Sequence, residues 1–256
     1  MLDNHYTPNG FGILKNINGV STYSIFVFLA IVVAVIVYLI LQNIDSKNKQ
    51  YLKTNKKHIF NIVVVALLGG LIGSKIPVLI ENFSKIISNT ENLKRFMVTG
   101  KSIVGGIIGG YIALKIYKKV NNIENIRFGN NIAPPAAIGM AIGRLGCFLS
   151  GCCYGVKNEL WGIDFGDGKR LPTQLYEMGF DIILFIYLLV KRYHKKDLKD
   201  GELFTDLVTY YFIFRFFIEF IRDTKKFYGI SIYQVFCLIG LGFVLLKKKE
   251  KYKLWC

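Results

Sequence analysis

Seven apolar runs of near-bilayer length alternate with polar, lysine-bearing segments along the chain, at 21–42, 59–80, 102–117, 132–150, 174–190, 203–221 and 229–246. About 20 residues of helix cross a hydrocarbon layer. The pattern therefore predicts an all-α integral membrane protein with about seven transmembrane helices. The run from Ser21 to Gln42 contains no charge. It is too long for the apolar core of a cleavable signal peptide and no basic segment leads it, so it is read as a span. The third and fourth runs are glycine-rich and weaker. No Pro- or Ser-rich linker and no repeat divides the chain. Residues 1–256 are read as a single polytopic domain, with a small extracytoplasmic cap at about 151–173.

Composition sharpens this reading. The chain is 52% apolar, yet 33 Lys and Arg oppose 17 Asp and Glu, a net charge of +16. A soluble nucleic-acid binder with that charge would be more polar, and a soluble enzyme is rarely so apolar and so basic together. A polytopic protein accommodates both, because its spans carry the apolarity and its loops the lysines. Disorder and a disulfide-stapled scaffold do not fit 14% aromatics and five cysteines.

With the N-terminus outside, the inside segments hold 18 basic residues and the outside segments 11. That excess predicts an extracytoplasmic N-terminus and a cytoplasmic C-terminus. The tail Lys247-Lys248-Lys249-Glu250-Lys251-Tyr252-Lys253 reads as a stop-transfer flank or as an anchor for anionic lipid.

Four basic residues remain inside the spans: Lys75, Lys115, Arg144 and Arg215. Ionisable groups at that depth cost several kcal/mol each and mark sites. Lys75 is placed to snorkel to the outer interface. Arg215 and Glu219 share a helical face and can pair, whereas Arg144 has no acid within four residues on its own run. Two arginines in different spans suggest a buried phosphate or carboxylate, since a guanidinium offers two parallel donors. Gln174, Tyr176 and Glu177 form a polar cluster after Pro172, with Asp181 one turn further.

Gly105-Gly106-Ile107-Ile108-Gly109-Gly110 has the small-residue spacing of close helix packing. Gly143, Gly146, Gly151 and Gly155 surround Arg144 and suggest a broken helix that opens backbone N–H groups to an anion. Cys147, Cys152 and Cys153 follow a C-x4-C-C spacing with no metal signature. Adjacent cysteines are poor ligands of one tetrahedral site, so no metal is expected. The three are read as turn packing, a disulfide or a functional thiol site. His5, His58 and His194 fall in a tail or loops, which argues against Cys–His or Ser–His catalysis.

Taken in order, these residues resemble the prolipoprotein diacylglyceryl transferases of bacteria. Gly143-Arg144-Leu145-Gly146-Cys147-Phe148 with Gly151, Tyr154 and Gly155 is similar to the family signature G-R-x-G-N-F-x-N-G-x-x-x-G. Pro172-Thr173-Gln174-Leu175-Tyr176-Glu177 resembles H-P-S-Q-L-Y-E. The stretch carrying Tyr211, Arg215, Phe216, Glu219, Phe220, Arg222 and Asp223 resembles the late Y-x3-R-F-x2-E-x2-R element. Ala133-Pro134 and Tyr23 also fit.

The resemblance implies transfer of a diacylglyceryl group from phosphatidylglycerol to the lipobox cysteine of a prelipoprotein, in the bacterial cytoplasmic membrane. A thioether forms and glycerol phosphate leaves. It implies catalytic roles for Arg144, Arg215, Tyr23 and Tyr211. Glu219 would orient Arg215, and Arg222 would handle the phosphate head. Gln174, Tyr176, Glu177, Gly105 and Gly106 would bind substrate. The partners implied are phosphatidylglycerol, other anionic lipids and prelipoprotein signal peptides; neither a cofactor nor nucleic acid is implied.

The departures from the motifs are specific. The family's H-G-G-L-I-G reads Val104-Gly105-Gly106-Ile107-Ile108-Gly109 here, without the histidine. Cys147 and Ser150 replace two asparagines, Leu171 replaces the histidine of H-P-S-Q, and Lys75 an arginine. If the first histidine assists thiol deprotonation in the family, this chain needs another base or a more acidic acceptor thiol. Two further classes therefore stay open: a membrane protein that binds or transports an anionic lipid or metabolite, and a thiol-redox protein built on Cys147, Cys152 and Cys153.

Overall fold

The computed structural model describes residues 16–17, 20–47, 56–87, 102–121, 129–166, 168–195, 198–199 and 201–249. His5, Cys256 and the tail beyond Lys249 lie outside the described residues. Among the described residues seven helices follow one another: α1 (Thr22–Lys47), α2 (Lys56–Ile87), α3 (Ile103–Val120), α4 (Gly129–Leu149), α5 (Thr173–His194), α6 (Glu202–Ile218) and α7 (Ile232–Lys249). Each of the seven apolar runs falls on one of them. Four contain segments long and apolar enough to cross a membrane: Thr22–Ile44, Val64–Glu81, Gly129–Leu149 and Thr173–His194. The chain is a helical integral membrane protein. Large apolar side chains such as Phe28, Ile72 and Ile183 stand exposed along these helices, as lipid contact requires.

Among the described residues three small antiparallel hairpins depart from an all-helical expectation: β1–β2 (Asn16–Ile17 with Val20–Ser21), β3–β4 (Ile163–Asp164 with Lys169–Arg170) and β5–β6 (Lys226–Phe227 with Ile230–Ser231). The sixth run ends in a 3-10 turn, Glu219–Ile221, rather than as continuous helix. The seventh run begins with a hairpin strand before α7 starts at Ile232.

The core lies where α3, α4, α5, α6 and α7 meet, with Val104, Ala137, Leu188, Leu207, Phe212 and Cys237 buried together. α2 and α3 cross at their glycines. A Cβ on Gly105 would strike the carbonyl oxygen of Gly73 and the ring of Pro77, with Cδ only 2.8 Å away, so only glycine permits this approach.

Pro134 lies inside α4 and cannot donate to the carbonyl of Asn130, which would cost a helix hydrogen bond. Arg192, wholly buried near the end of α5, donates from Nη1 to that carbonyl at 2.7 Å and from Nη2 to Asn131 Oδ1 at 2.9 Å. Asn130 in turn accepts from the Leu203 N–H at 2.9 Å and donates to Lys199 O at 2.8 Å. Arg192, which sequence counts only as a topology charge, ties α4, α5 and α6 together. Fifteen residues of helix place it roughly 22 Å from Glu177. The two polar clusters therefore occupy opposite ends of α5.

Candidate active site

The site forms at the end where α1, α5 and α7 begin and α2, α4 and α6 finish. α4 presents Arg144 in its last turns. Pro172 halts the preceding strand, and α5 then sets Gln174, Glu177 and Asp181 at three- and four-residue spacing on one face, all buried. α6 delivers Arg215, and its 3-10 continuation turns the chain so that Glu219 points back inward. The backbone is extended at Arg222, where it bridges to Gly155. A Cβ on Gly155 would meet the Ile221 carbonyl oxygen at 2.6 Å and both Leu171 and Thr173 at 2.9 Å. Only glycine lets the two loops close on each other there.

Glu177 is the hub. One carboxylate oxygen pairs with Arg144 Nη2, while the other accepts from Arg222 Nη1 at 2.7 Å and lies 3.8 Å from Arg215 Nη1. Glu219 pairs with Arg215 Nη2 at 2.7 Å and lies 3.7 Å from Arg222 Nε. Thr224 Oγ1 donates to the remaining Glu219 oxygen at 2.7 Å. Three cations thus face two ion-paired carboxylates, each side chain buried, with the buried carboxyl of Asp181 one turn further along α5.

Three guanidinium donors in this cluster, Arg144 Nε, Arg222 Nε and Arg215 Nη1, are buried without a hydrogen-bond partner, as are the Tyr211 hydroxyl and both carboxyl oxygens of Asp181. Each such group costs about 1–3 kcal/mol of desolvation. Convergent unsatisfied guanidinium donors suit a tetrahedral oxyanion, which offers several acceptors at once.

Beside the cluster, Gly151 (φ 64°) and Cys153 (φ 65°) take left-handed conformations that reverse the chain just after α4. The Sγ atoms of Cys147, Cys152 and Cys153 consequently lie within 4.8 Å of one another. The spacing argument against a shared ligand set assumes a regular backbone, and this turn removes it. None of the three forms a disulfide. Thr173 Oγ1 donates to Cys153 O at 3.0 Å and Gln174 Nε2 to Cys152 O at 2.7 Å, so α5 holds the loop in place. Tyr23, at the start of α1, is close enough to interact electrostatically with all three cysteines and with Arg144.

The fold thus brings together Tyr23, Arg144, Gln174, Glu177, Tyr211, Arg215, Glu219 and Arg222. Tyr176 is 41% exposed, on the opposite side of α5. Gly105 and Gly106 face α2 rather than the arginines. Helix α4 is unbroken through Gly143 and Gly146, which corrects the expected helix break. Gly146 makes room for Phe26 of α1, where a Cβ would meet the Phe26 Cβ at 2.5 Å. His194 ends α5 at the far end, its Nδ1 3.0 Å from the Val190 carbonyl oxygen. Sequence reasoning missed Thr224, and also Tyr233, whose ring lies 6.0 Å from the Arg215 guanidinium and whose hydroxyl donates to Glu81 at 2.7 Å. Tyr233 finds its partners on other helices, and Thr224 meets Glu219 five residues back only because the chain leaves the helix between them.

A family profile described as "Prolipoprotein diacylglyceryl transferase" matches residues 13–247. The chain belongs to this family. Phosphatidylglycerol–prolipoprotein diacylglyceryl transferase of Clostridium tetani is 34% identical over 204 residues, covering 77% of this chain and 80% of that protein. The Clostridioides difficile protein of the same name is 36% identical over 200 residues, covering 75% and 80%. A Clostridium perfringens protein named phosphatidylglycerol–prolipoprotein diacylglyceryl transferase 2 is 29% identical over 199 residues, covering 73% and 77%. Every residue of the arginine cluster lies within the span that the family profile matches. At the motif position of the family's first histidine stands Val104, buried in the same apolar cluster as Tyr211.

Proposed function

We propose that the protein transfers the diacylglyceryl group of phosphatidylglycerol to the lipobox cysteine thiol of prelipoproteins in the bacterial cytoplasmic membrane. The observation that carries this reading is the set of buried, unsatisfied donors of Arg144, Arg215 and Arg222 around Glu177. The phosphodiester of the lipid brings one negative charge and the glycerol phosphate that leaves brings two, so fixed cations stabilise the charge that develops as the C–O bond breaks. Arg144 and Arg215 grip the phosphate oxygens, while Arg222 sits where the chain exits toward the hairpin and receives the departing group. Tyr23 and Tyr211 supply hydroxyl donors. Between α5 and α6 an apolar groove of about 530 Å³, lined by Phe180, Tyr187, Ile213 and Phe217, suits an acyl chain.

Helices that alternate in direction at this end are consistent with seven spans, an outside N-terminus and an inside C-terminus. In that topology residues 151–173 form an extracytoplasmic cap over the site. The test is incubation of purified protein in phosphatidylglycerol nanodiscs with a fluorescent lipobox peptide. Mass spectrometry is expected to find the diacylglyceryl adduct with the wild type and to find none with Arg144→Ala; full transfer by that variant excludes the reading.

A further inference from the structure

Alkylation of a thiol needs a thiolate, and a free cysteine is only a few per cent ionised near pH 7. Among the described residues the site provides no imidazole, and guanidinium groups cannot take a proton. Glu177 and Glu219 are committed to arginines, and Asp181 lies one turn further along α5 with neither oxygen hydrogen-bonded. Beside the arginines stand three sulfurs. We propose that Cys147, Cys152 and Cys153 bind one zinc ion, whose fourth position takes the acceptor cysteine and delivers it as a thiolate. This deepens the transfer reading above and rests on it.

Four observations support the ligand set. Zinc bonded at about 2.3 Å to each of three sulfurs in a tetrahedral arrangement needs them about 3.8 Å apart. Sulfurs already within 4.8 Å of one another reach that by side-chain adjustment of an ångström or less. The left-handed turn at Gly151 and Cys153 aims adjacent cysteines at one point, a conformation that costs energy in a non-glycine residue. Thr173 and Gln174 clamp the carbonyls of the two loop cysteines, the kind of outer support that fixes metal ligands. Arg144 lies close enough to Cys147 and Cys153, and Arg222 to Cys153, for the two cations to offset part of the thiolates' charge. A disulfide would use two of the sulfurs and leave the third without a role; zinc uses all three and keeps one position open, as in catalytic zinc sites.

The step balances without an oxidant. The acceptor thiol binds zinc and loses its proton to solvent, since metal coordination deprotonates a thiol. The sulfur lone pair attacks the diacylglyceryl carbon that bears the phosphate ester oxygen. The C–S bond forms as the C–O bond breaks, and its electron pair leaves on glycerol phosphate beside the arginines. The thioether, a weak ligand, then gives up the fourth position to the next thiol.

The experiment loads purified wild-type protein in phosphatidylglycerol nanodiscs with zinc, or with cobalt(II) as a spectroscopic probe. It measures metal content, X-ray absorption and transfer to a lipobox peptide. One equivalent of metal with three sulfur ligands is expected, together with a fourth sulfur on adding the cysteine peptide and none with its serine counterpart. Chelation is expected to lower transfer at least 100-fold, and zinc to restore it. Cys147→Ser, Cys152→Ser and Cys153→Ser each lose the metal, whereas Cys237→Ala keeps both metal and transfer. Failure of the wild type to bind metal, retention of metal without the three cysteines, or undiminished transfer by zinc-free wild type overturns the inference. In the last case the transferase reading stands, and a changed pH profile of transfer in Asp181→Asn would point to that buried carboxylate as the base. Bound zinc with no diacylglyceryl product under any condition overturns the transferase reading and the catalytic role of the zinc with it.

Discussion

Glu177 on α5 accepts a 2.7 Å hydrogen bond from Arg222, 45 residues further along the chain, and the same carboxylate meets Arg144 of α4. One acid thereby sets the positions of arginines from two other elements. Glu177→Gln keeps the shape and removes the charge, leaving Glu219 as the one carboxylate ion-paired within the cluster of three buried guanidiniums. Breaking a buried ion pair costs about 3–5 kcal/mol. The expected result is a large fall in thermal stability with transfer reduced at least 100-fold. Since Glu177 acts through the arginines, phosphatidylglycerol at saturating density should not restore the rate. A variant with wild-type kcat and melting temperature would show that the hub is dispensable.

Arg144→Lys tests the shape of the donor set rather than its charge. A lysine ammonium keeps the positive charge but cannot present two parallel N–H donors. Transfer is expected to drop about 100-fold, or roughly 2.7 kcal/mol of transition-state stabilisation. Single-turnover kinetics with varied phosphatidylglycerol separate lost binding from lost chemistry. A rate within threefold of wild type would mean that charge alone suffices.

Much of this arrangement was legible in the residues. The apolar runs gave the helices, because lipid forces backbone hydrogen bonds into continuous helix and so fixes the length of each run. The cost of burying charge singled out Arg144, Arg215 and Glu219. Other features depend on contacts between distant parts of the chain. Arg192 looks like one more flanking lysine-type charge until Pro134 leaves the Asn130 carbonyl without its helix donor. Gly105 belongs to a helix crossing although its motif position suggests substrate. The three cysteines converge only because two left-handed residues bend the chain between them. Spacing counts residues, and a turn changes what a count means.

Thr224 Oγ1 donates to Glu219 at 2.7 Å, fixing the carboxylate that holds Arg215. Thr224→Val keeps the volume and removes the donor. A hydrogen bond to a charged group contributes about 1.5–3 kcal/mol. Transfer is expected to fall about tenfold, with Thr224→Ser restoring most of it. Equal rates for the valine and serine variants would remove Thr224 from the positioning chain.

Gly105→Ala distinguishes packing from substrate binding. The new methyl would collide with the Gly73 carbonyl and the Pro77 ring, forcing α2 and α3 apart. Overpacking of this kind costs about 1–3 kcal/mol. The variant is expected to melt earlier while its folded fraction keeps an unchanged apparent KM for phosphatidylglycerol. A raised KM at unchanged melting temperature would instead return Gly105 to the substrate site.

At the opposite end of α5, Glu202 opens α6 and accepts from Lys195 at 2.6 Å and from the Lys199 N–H at 3.1 Å, with Lys191 2.8 Å away. Burial pushes this carboxyl up, but the hydrogen bonds from Lys191, Lys195 and Lys199 more than offset it and hold the group at about 2, against an ordinary value of 4.5. A carboxyl depressed in the folded state binds protons more readily when unfolded, so it adds stability above its unfolded value. That contribution is complete above pH 4.5 and disappears as the pH falls through about 2. Melting curves across that window, compared between wild type and Glu202→Gln, isolate it: the wild type should be the more stable above pH 4.5, and the gap should close toward pH 2. Parallel curves over the whole range would show that the lysines do not hold Glu202 in its ionised form.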